Sequence, residues 1–339
     1  MKSLLMIIFC VAVISGCGAE NTGQQNNSEV EKEAEDTEKI QMASWSKPIA
    51  EQSNLYLAEQ EGMFEEAGLE FDYIPGEGGG EAVKNIIAGN ADIAFANVEA
   101  VLLAAAKEED LKIIYNIYPD NVFNIVSLKD QGIERVEDLK GKDIGVYSYE
   151  SGTYHNLLVL LQSTGMSEKD VNIVETGVLN FGPLMNNQVD AAAATDTGLF
   201  DAGQKGLGEV NVMEAKDVLN TPSDVFVVTE ETFEEKQEEL TAFLQVYRDS
   251  TEHMMKDPGA AAAAAKGTAI DGEDLERNAE IIKIRNKTSI NEKMKDKGLG
   301  WLDSELLKEV EKTYVDIGLI EDSVGVDEMT TNELVEELE

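Results

Sequence analysis

The chain is poor in the residues that most often carry catalysis or metal binding. Its 339 residues include two cysteines, two histidines and six prolines. Cys10 lies in the apolar N-terminal segment, so a mature chain would keep Cys17 alone, and neither a disulfide nor a cysteine-based zinc cluster is expected. The sequence also has no visible Ser/His/Asp, HExxH or P-loop pattern. It therefore predicts no catalytic residue, no metal site and no cofactor.

Positive charge is also scarce. The chain has 27 basic and 67 acidic residues, with a formal net charge of -40. Such a surface repels phosphates and anionic lipid headgroups, so nucleic acid is not expected as a partner. The acidic residues are scattered over predicted helices, which is typical of a solvated surface. A saline or alkaline medium would explain them without any partner.

The N-terminus has the pattern of a secretory signal. Lys2 precedes an apolar run from Leu4 to Ile14, which is shorter than the roughly 20 residues of a membrane span. The sequence ISGC, ending at Cys17, resembles a bacterial lipobox, in which the signal is cut before a cysteine that receives a diacylglycerol. We therefore expect a signal peptide over residues 1–16 and lipidation of Cys17. An ordinary signal peptide with a chance cysteine is the alternative.

A polar and acidic segment without aromatic residues follows the cysteine. It cannot bury enough apolar surface to offset its ordering entropy, so residues 17–38 are predicted to be a disordered tether. The expected location is extracytoplasmic, with the chain held to the outer face of the bacterial membrane by its lipid alone. The remaining length of roughly 300 residues suits two domains of moderate size.

Strands alternate with helices in two halves of the chain. KIQMASW, LEFDYIP, ADIAFAN and LKIIYNIY are predicted strands of the first half, and KDIGVYSY, DVNIVET, VDAAAAT and EVNVMEA of the second. A turn and an apolar strand follow each half. The spacing predicts an α/β protein of two similar lobes with parallel βαβ units and two crossovers. Lobe I comprises residues 39–118 and 221–339, and lobe II residues 119–220.

One unit occurs in both halves. GNADIAFANVEA at 89–100 and NNQVDAAAATDTGL at 186–199 each place an aspartate before small apolar residues and end in polar ones. Open α/β sheets bind ligands beyond the carboxyl ends of their strands. We therefore expect Asn97 and Glu99 to face Thr195 and Asp196 across a cleft. Capping of the following helices is the alternative for Asn97 and Thr195.

Other side chains near predicted strand ends offer contacts of different kinds. Trp45, Tyr118 and Tyr149 have flat apolar faces with polar tips, although burial in the core is the alternative for each. The segment SYESGT at 148–153 opens a helix whose free amides can bind an anion, or whose hydroxyls simply cap it. No arginine is expected near the rim, where Lys47 is the only base. That balance favours a neutral or cationic heterocycle with N–H donors over a strong anion.

A tethered extracytoplasmic protein of this architecture resembles the solute-binding proteins of ABC importers. NLYLAEQEGMFEEAGLEF, GEGGGEAV, GNADIAFAN, IERVEDLKGKDIGV and VGVDEMTTNEL are similar to the family that binds thiamine-pyrimidine precursors, alkanesulfonates, taurine and nitrate. The resemblance runs from about Ile40 to Leu334. It implies the type II periplasmic-binding-protein fold and a monomer that closes on a small molecule, with hinges near 118–121 and 219–224. It also implies delivery to a membrane permease with a cytoplasmic ATPase.

Two motifs bear on the ligand. ASWSKP at 43–48 resembles the tryptophan loop of pyrimidine-precursor binders, where the indole flanks a flat heterocycle, and Gly78 and Gly79 match a turn whose amides approach the ligand. The chain departs from that pattern, because it lacks an Asn-x-x-His after the loop, a tyrosine after the third strand and a tryptophan-rich exit near TDTGLF. The residues predicted to bind the ligand are Trp45, Ser46, Gly78, Gly79, Asn97, Glu99, Tyr118, Ser148, Tyr149, Ser151, Gly152, Thr153, Thr195 and Asp196.

The prediction is therefore a non-enzymatic binding protein for a flat nitrogen heterocycle such as a thiamine-pyrimidine precursor. An anion binder of the sulfonate, taurine or nitrate type is the alternative within the family. A pyrimidine-synthase-like enzyme, for which His155 and His253 are the available histidines, and an adhesion lipoprotein are alternatives of other classes.

Overall fold

The structure, a computed structural model, describes residues 37–177 and 181–339. The predicted signal peptide, Cys17 and nearly all of the predicted tether lie outside the described residues. Glu38, the last residue assigned to the tether, is the first residue of a strand. In the described chain the strands are β1 (Glu38–Ser44), β2 (Leu69–Ile74), β3 (Ile93–Asn97), β4 (Leu111–Tyr118), β5 (Phe123–Leu128), β6 (Asp143–Val146), β7 (Asn172–Glu175), β8 (Ala191–Thr195), β9 (Val210–Glu214) and β10 (Asp224–Thr229).

The strands form two five-stranded sheets. Lobe I has the order β2-β1-β3-β10-β4, and lobe II has the order β7-β6-β8-β5-β9. In lobe I the last strand, β10, is antiparallel to β3 and β4, and in lobe II the first strand, β5, is antiparallel to β8 and β9. The other pairings are parallel. The predicted fold of two α/β lobes with two crossovers is confirmed.

Helices cover both sheets. The first to seventh are α1 (Ser53–Glu61), α2 (Met63–Glu66), α3 (Gly79–Ile87), α4 (Val98–Ala105), α5 (Gly152–Ser163), α6 (Gly182–Met185) and α7 (Asp196–Gln204). The remainder follow β10 and are α8 (Glu230–Glu235), α9 (Gln237–Lys256), α10 (Pro258–Ala264), α11 (Leu275–Thr288), α12 (Glu292–Lys297), α13 (Ser304–Asp316), α14 (Val326–Met329) and α15 (Glu333–Glu337).

Burial explains the sequences of the central strands. IAFAN in β3 is buried throughout, and AAAAT in β8 is buried up to its last residue. Strands that are covered on both faces read as continuous apolar runs rather than alternating ones. In lobe I an aromatic cluster fills the space between the sheet and α9, with Phe226 centred 5.2 Å from Phe243 and 4.7 Å from Tyr247. These layers fix the strand ends that form the cleft.

The two crossing segments lie side by side. The Ser223 amide donates to the Tyr118 carbonyl at 2.8 Å, and the Val122 amide donates to Ser223 Oγ at 2.9 Å. Asn121 Nδ2 also donates to the Leu219 carbonyl at 3.1 Å. The strands before and after each segment belong to different sheets. The exact lobe boundaries at residues 118 and 220, and the hinge role of these segments, stay predictions.

Candidate functional site

A cavity of about 450 Å³ lies between the two lobes. Lobe I lines it at the carboxyl ends of β1 and β3 and at the first residue of β10, with Trp45, Asn97 and Asp224. Lobe II contributes the first residue of β5, Phe123, and the last residue of β8, Thr195. The cavity is thus placed where open α/β sheets bind ligands.

Trp45 forms part of the lobe I wall directly after β1. Its amide donates to the Phe95 carbonyl at 3.1 Å, which continues the pairing of β1 with β3 by one residue. Its ring meets the Phe95 ring edge-on, with centroids 6.3 Å apart. The indole Nε1 is buried, and among the described residues it has no hydrogen-bond partner. The indole therefore brings an apolar face to the cleft, while its N–H is buried without a partner.

A buried polar network joins the lobes below Asn97. Asn97 Nδ2 donates to Glu99 Oε2 at 2.8 Å and lies 3.2 Å from His155 Nδ1 on the other lobe. Asn156 Nδ2, also on lobe II, donates to Glu99 Oε1 at 3.0 Å. Burial lowers the pKa of His155 to about 4, so the ring is neutral and its Nδ1 accepts from Asn97. Burial also raises the pKa of Glu99.

Arg285 on α11 is the charged centre of the cleft. Its side chain is 2% exposed, and its Nε donates to Glu51 Oε2 at 3.1 Å. Nη1 donates to Asp196 Oδ1 at 2.6 Å and Nη2 to Thr197 Oγ1 at 2.9 Å. The guanidinium lies 5.0 Å from the ring centroid of Tyr118. Because Asp196 and Thr197 belong to lobe II, this one side chain ties both lobes together.

A second arginine of α11 makes another bridge. Arg277 forms an ion pair with Asp201 on α7 of lobe II. Its Nη1 also donates to Asp271 Oδ2 at 3.0 Å and to Asn278 Oδ1 at 2.6 Å within lobe I. Lys205 binds the same Asp201 at 2.7 Å. The α7–α11 contact is therefore a charged seam along one flank of the cleft.

The other flank is closed by a glycine turn. The Gly80 amide donates to the Glu150 carbonyl at 3.0 Å, and Ser148 Oγ donates to the Glu77 carbonyl at 2.5 Å. Gly78 has φ +150°, and a Cβ there would lie 2.6 Å from the Glu150 carbonyl oxygen. A Cβ at Gly79 would overlap Asn97 Oδ1. The lobes thus touch on both flanks, and the turn allows this approach because it has no side chains.

The expectation of an arginine-free rim is wrong, because Arg277 and Arg285 line the cavity together with Lys47 and Lys205. Each of these bases is paired with a carboxylate: Lys47 lies 3.3 Å from Glu77, and the others bind as described above. Their charge is therefore largely compensated by the protein itself. The cleft still offers little free positive charge to a strong anion.

Asp224 is the cavity-lining carboxylate that lacks such a partner. It is 5% exposed, and within the described ranges no hydrogen bond or ion pair reaches its carboxylate. Burial raises its pKa to about 8, and the nearby carboxylates of Glu51 and Glu99 act in the same direction against the lowering effect of Arg285. Burial therefore favours the protonated form of this acid near neutral pH.

Most of the predicted binding residues line the cavity, and their part in binding stays a prediction. Those that line it are Trp45, Ser46, Gly78, Gly79, Asn97, Ser151, Gly152, Thr153 and Thr195. Two of them also cap helices, since Thr195 Oγ1 accepts from the Gly198 amide at 3.3 Å and Ser151 Oγ from the Tyr154 amide at 3.4 Å. The Asn97 side chain does not cap α4.

The other predicted residues lie outside the cavity wall. Glu99 is 1% exposed and is held by Asn97 and Asn156. Tyr118 and Asp196 contact Arg285 instead of the cavity. Ser148 belongs to the contact with the glycine turn, and Tyr149 is 47% exposed on the surface. Glu99, Tyr118, Asp196 and Ser148 are thus held by contacts with other protein groups and not by the cavity.

The sequence reasoning missed Glu51, Asp224, Arg277 and Arg285. The strand-end rule points to the carboxyl ends of parallel strands, whereas Asp224 begins an antiparallel strand whose start lies at the same sheet edge. The arginines are far away in sequence on α11. No sequence signal singles out Arg285: Ile281 lies four residues before it on the same helix face, but only the structure shows that both are buried.

Two structural features concern metal ions and membranes. Among the described residues, no group of three or more His, Cys, Asp or Glu side chains is arranged to hold a metal ion. In the same ranges, no helix combines the length and the apolar character that crossing a membrane requires.

The sequence is similar to those of several known proteins. The chain is 26% identical over 249 residues to the riboflavin-binding protein RibY of Chloroflexus aurantiacus, covering 72% of this chain and 70% of that protein. It is 24% identical over 232 residues to a 4-amino-5-hydroxymethyl-2-methylpyrimidine phosphate synthase of Aspergillus parasiticus, covering 61% and 64%.

A solved structure shows the same architecture. The alkanesulfonate-binding protein SsuA of Xanthomonas axonopodis pv. citri, bound to MOPS, superposes with a TM-score of 0.67 at 16% identity, covering 86% of this chain and 98% of that one. At this identity the likeness shows the fold alone. The sequence profile described as "NMT1/THI5 like" matches residues 50–261, more than half of the chain. The chain therefore belongs to the NMT1/THI5-like family and has the type II periplasmic-binding-protein fold.

Proposed function

We propose that this chain is the extracytoplasmic solute-binding component of an ABC importer. The observation that carries the proposal is the cavity of about 450 Å³ with walls from both lobes. A ligand in such a cavity contacts both lobes only when they are together, so binding favours the closed form. Opening on a membrane permease would then release it.

The ligand class we propose is a flat nitrogen heterocycle. Trp45 from lobe I and Phe123 and Phe181 from lobe II line the cavity and offer aromatic faces. The basic side chains are already paired, which disfavours a sulfonate or nitrate. Two relatives have names that mention flat nitrogen heterocycles, riboflavin and an aminopyrimidine, and this supports the same class here. The named ligand of SsuA supports the anion alternative.

The proposal is of a binding protein and not of an enzyme. One relative is named as a synthase, and this supports the enzymatic alternative. His155 is buried behind Asn97 and does not line the cavity, and His253 lies on the surface 3.1 Å from Glu61. Neither ring is therefore placed to exchange a proton with a molecule in the cleft.

The proposed partners are those of a solute-binding protein of an ABC importer. Lipidation of Cys17 would hold the protein at the outer face of the membrane, beside the permease and its cytoplasmic ATPase. The chain would act as a monomer, because the two lobes together complete the cavity. The proposal assigns no partner to the acidic residues, which we interpret as a solvated surface.

A fluorescence titration tests the ligand class. The chain has two tryptophans, and Trp301 lies outside the cavity, so Trp301→Ala leaves Trp45 as the sole indole reporter. We expect riboflavin or 4-amino-5-hydroxymethyl-2-methylpyrimidine to quench this emission at saturation with one molecule per chain, and taurine to leave it unchanged.

Calorimetry on the matched pair Trp45→Ala and Trp301→Ala separates stacking from general effects. Trp45→Ala should weaken heterocycle binding by about 1–3 kcal/mol, the range for base–aromatic stacking, whereas Trp301→Ala should bind like wild type. Tighter binding of taurine than of either heterocycle would reject the ligand class. Equal losses in both variants would reject the role of Trp45.

A further inference from the structure

Asp224 is the carboxylate of the cleft that the rest of the protein leaves unused. It begins β10, where it pairs with Asn97 of β3 and with Tyr118 of β4, so it lies at the ligand-facing edge of the lobe I sheet. Asp224 is only 5% exposed, yet it lines the cavity. Throughout the described parts of the chain, no side chain or amide donates to its carboxylate oxygens. Its carboxylate therefore opens on the cavity, where a ligand can supply the hydrogen-bond partners.

Among the described residues around Asp224, no cation is free to neutralise it. Arg285 is the nearby base, and its Nε, Nη1 and Nη2 are engaged by Glu51, Asp196 and Thr197. The guanidinium of Arg285 therefore already forms ion pairs with two carboxylates. The titratable and charged groups that act on Asp224 from the packed elements are Glu51, Glu99, Tyr118, Tyr247 and Arg285.

These groups leave the neutral acid as the favoured form. Glu51 and Glu99 oppose a further negative charge, and burial raises the pKa of Tyr118 and Tyr247 so that both phenols stay neutral. The same burial raises the pKa of Asp224 itself to about 8. A carboxylic acid then presents an O–H donor beside a C=O acceptor.

We infer that Asp224 acts as a neutral carboxylic acid that recognises a ligand edge with a hydrogen-bond acceptor next to an N–H. This deepens the proposed function and rests on it. The amidine edge of an aminopyrimidine has a ring nitrogen beside an amino group, and the imide edge of a flavin has a carbonyl oxygen beside a ring N–H. Both edges complement the acid through two hydrogen bonds. Sulfonate and nitrate offer acceptors alone.

Two variants at this position separate a neutral acid from an ionised one. Asp224→Asn keeps the shape, one N–H donor and one C=O acceptor, but it cannot ionise. Asp224→Leu keeps a similar shape without polar atoms. The probes are riboflavin, 3-methylriboflavin, in which the N–H is blocked, and 4-amino-5-hydroxymethyl-2-methylpyrimidine, with calorimetric titrations at pH 7 and pH 9.

The expected pattern has three parts. Asp224→Asn binds at pH 7 within about threefold of wild type, whereas Asp224→Leu binds at least about tenfold more weakly, the loss expected for two hydrogen bonds. Wild-type affinity falls about tenfold between pH 7 and pH 9, because the ionised acid cannot donate, and that of Asp224→Asn does not fall. If riboflavin binds, 3-methylriboflavin shows the loss in wild type. Which probe binds identifies the source of the shared edge.

Other outcomes overturn the inference. If Asp224→Asn is as weak as Asp224→Leu, the residue acts as an ion and the neutral-acid role is rejected, while the proposed function survives. If wild type binds neither heterocycle, the edge recognition is rejected, and binding or absence of binding of taurine then decides between the anion alternative and loss of the solute-binding proposal.

A measurement without ligand protects the test from folding artefacts. The folded pKa of Asp224 is raised from 3.8 to about 8, so the folded state holds the proton more tightly between these values. The free energy of unfolding of wild type should therefore fall as the pH rises from about 5 to about 8, and Asp224→Asn should show a flatter profile. Parallel profiles for the two proteins would overturn the inference.

Discussion

Arg285 is the side chain on which the contact between the lobes depends most. It is 2% exposed and serves Glu51, which is 7% exposed, and Asp196, which is 31% exposed. Replacing it by methionine keeps much of the volume but removes all of its donors. Glu51 then becomes a buried carboxylate whose remaining donor is the hydroxyl of Thr197. We therefore expect Arg285→Met to lower the stability of the protein.

The magnitude follows from the burial of the partners. Removing one member of a buried ion pair costs about 3–5 kcal/mol, and the partial exposure of Asp196 screens its share. The expected loss for Arg285→Met is therefore about 3 kcal/mol in the free energy of unfolding. The matched control on the same helix is Arg277→Met. Because Arg277 and Asp201 are 17% and 18% exposed, we expect a smaller loss of about 1–2 kcal/mol there.

Urea unfolding followed by circular dichroism measures both losses. The double variant Glu51→Gln with Arg285→Met should recover part of the lost free energy, because it removes the uncompensated buried charge. A loss below about 1 kcal/mol for Arg285→Met would refute the view that this network stabilises the closed arrangement. A large loss without any recovery in the double variant would assign the effect to packing.

Three further changes give direct checks. Cys17→Ser should release the protein into the medium, and continued labelling of that variant by radiolabelled palmitate would contradict lipidation. The pKa of His155 is lowered by burial from 6.5 to about 4, so the unfolded state binds the proton more tightly and the free energy of unfolding should fall as the pH drops through this interval; His155→Gln should flatten that slope in acid unfolding curves. Gly78→Ala should weaken ligand binding with little loss of lobe stability, because its Cβ would lie 2.6 Å from the Glu150 carbonyl oxygen; unchanged affinity in calorimetry would show that the turn adapts.

The fold was largely predictable because it depends on local patterns. The apolar runs that became β1, β3 and β8 are bounded by polar residues, and the alternation of strands with helices indicates parallel units. The repeated polar ends of β3 and β8 located the cleft, and Trp45 and Asn97 line it as expected from that rule.

The charged interior was not predictable in the same way. Arg285 lies 89 residues from Asp196 in sequence, and nothing local to either residue indicates that they meet. Asp224 ends the predicted hinge segment 219–224 but begins β10 in the structure, and its place at the cleft depends on an antiparallel strand direction that only the sheet order establishes. The balance of charge in the cleft therefore required the tertiary structure.

Small-angle X-ray scattering of the purified protein tests whether the two lobes close on a ligand. The lobes touch on both flanks of the cavity in this structure, and in the proposed function a ligand stabilises this closed form. The radius of gyration should be larger without ligand and should fall to the value calculated from the closed lobes when a binding heterocycle is added. A radius that does not change, with stoichiometric binding shown in the same sample, would contradict capture by lobe closure.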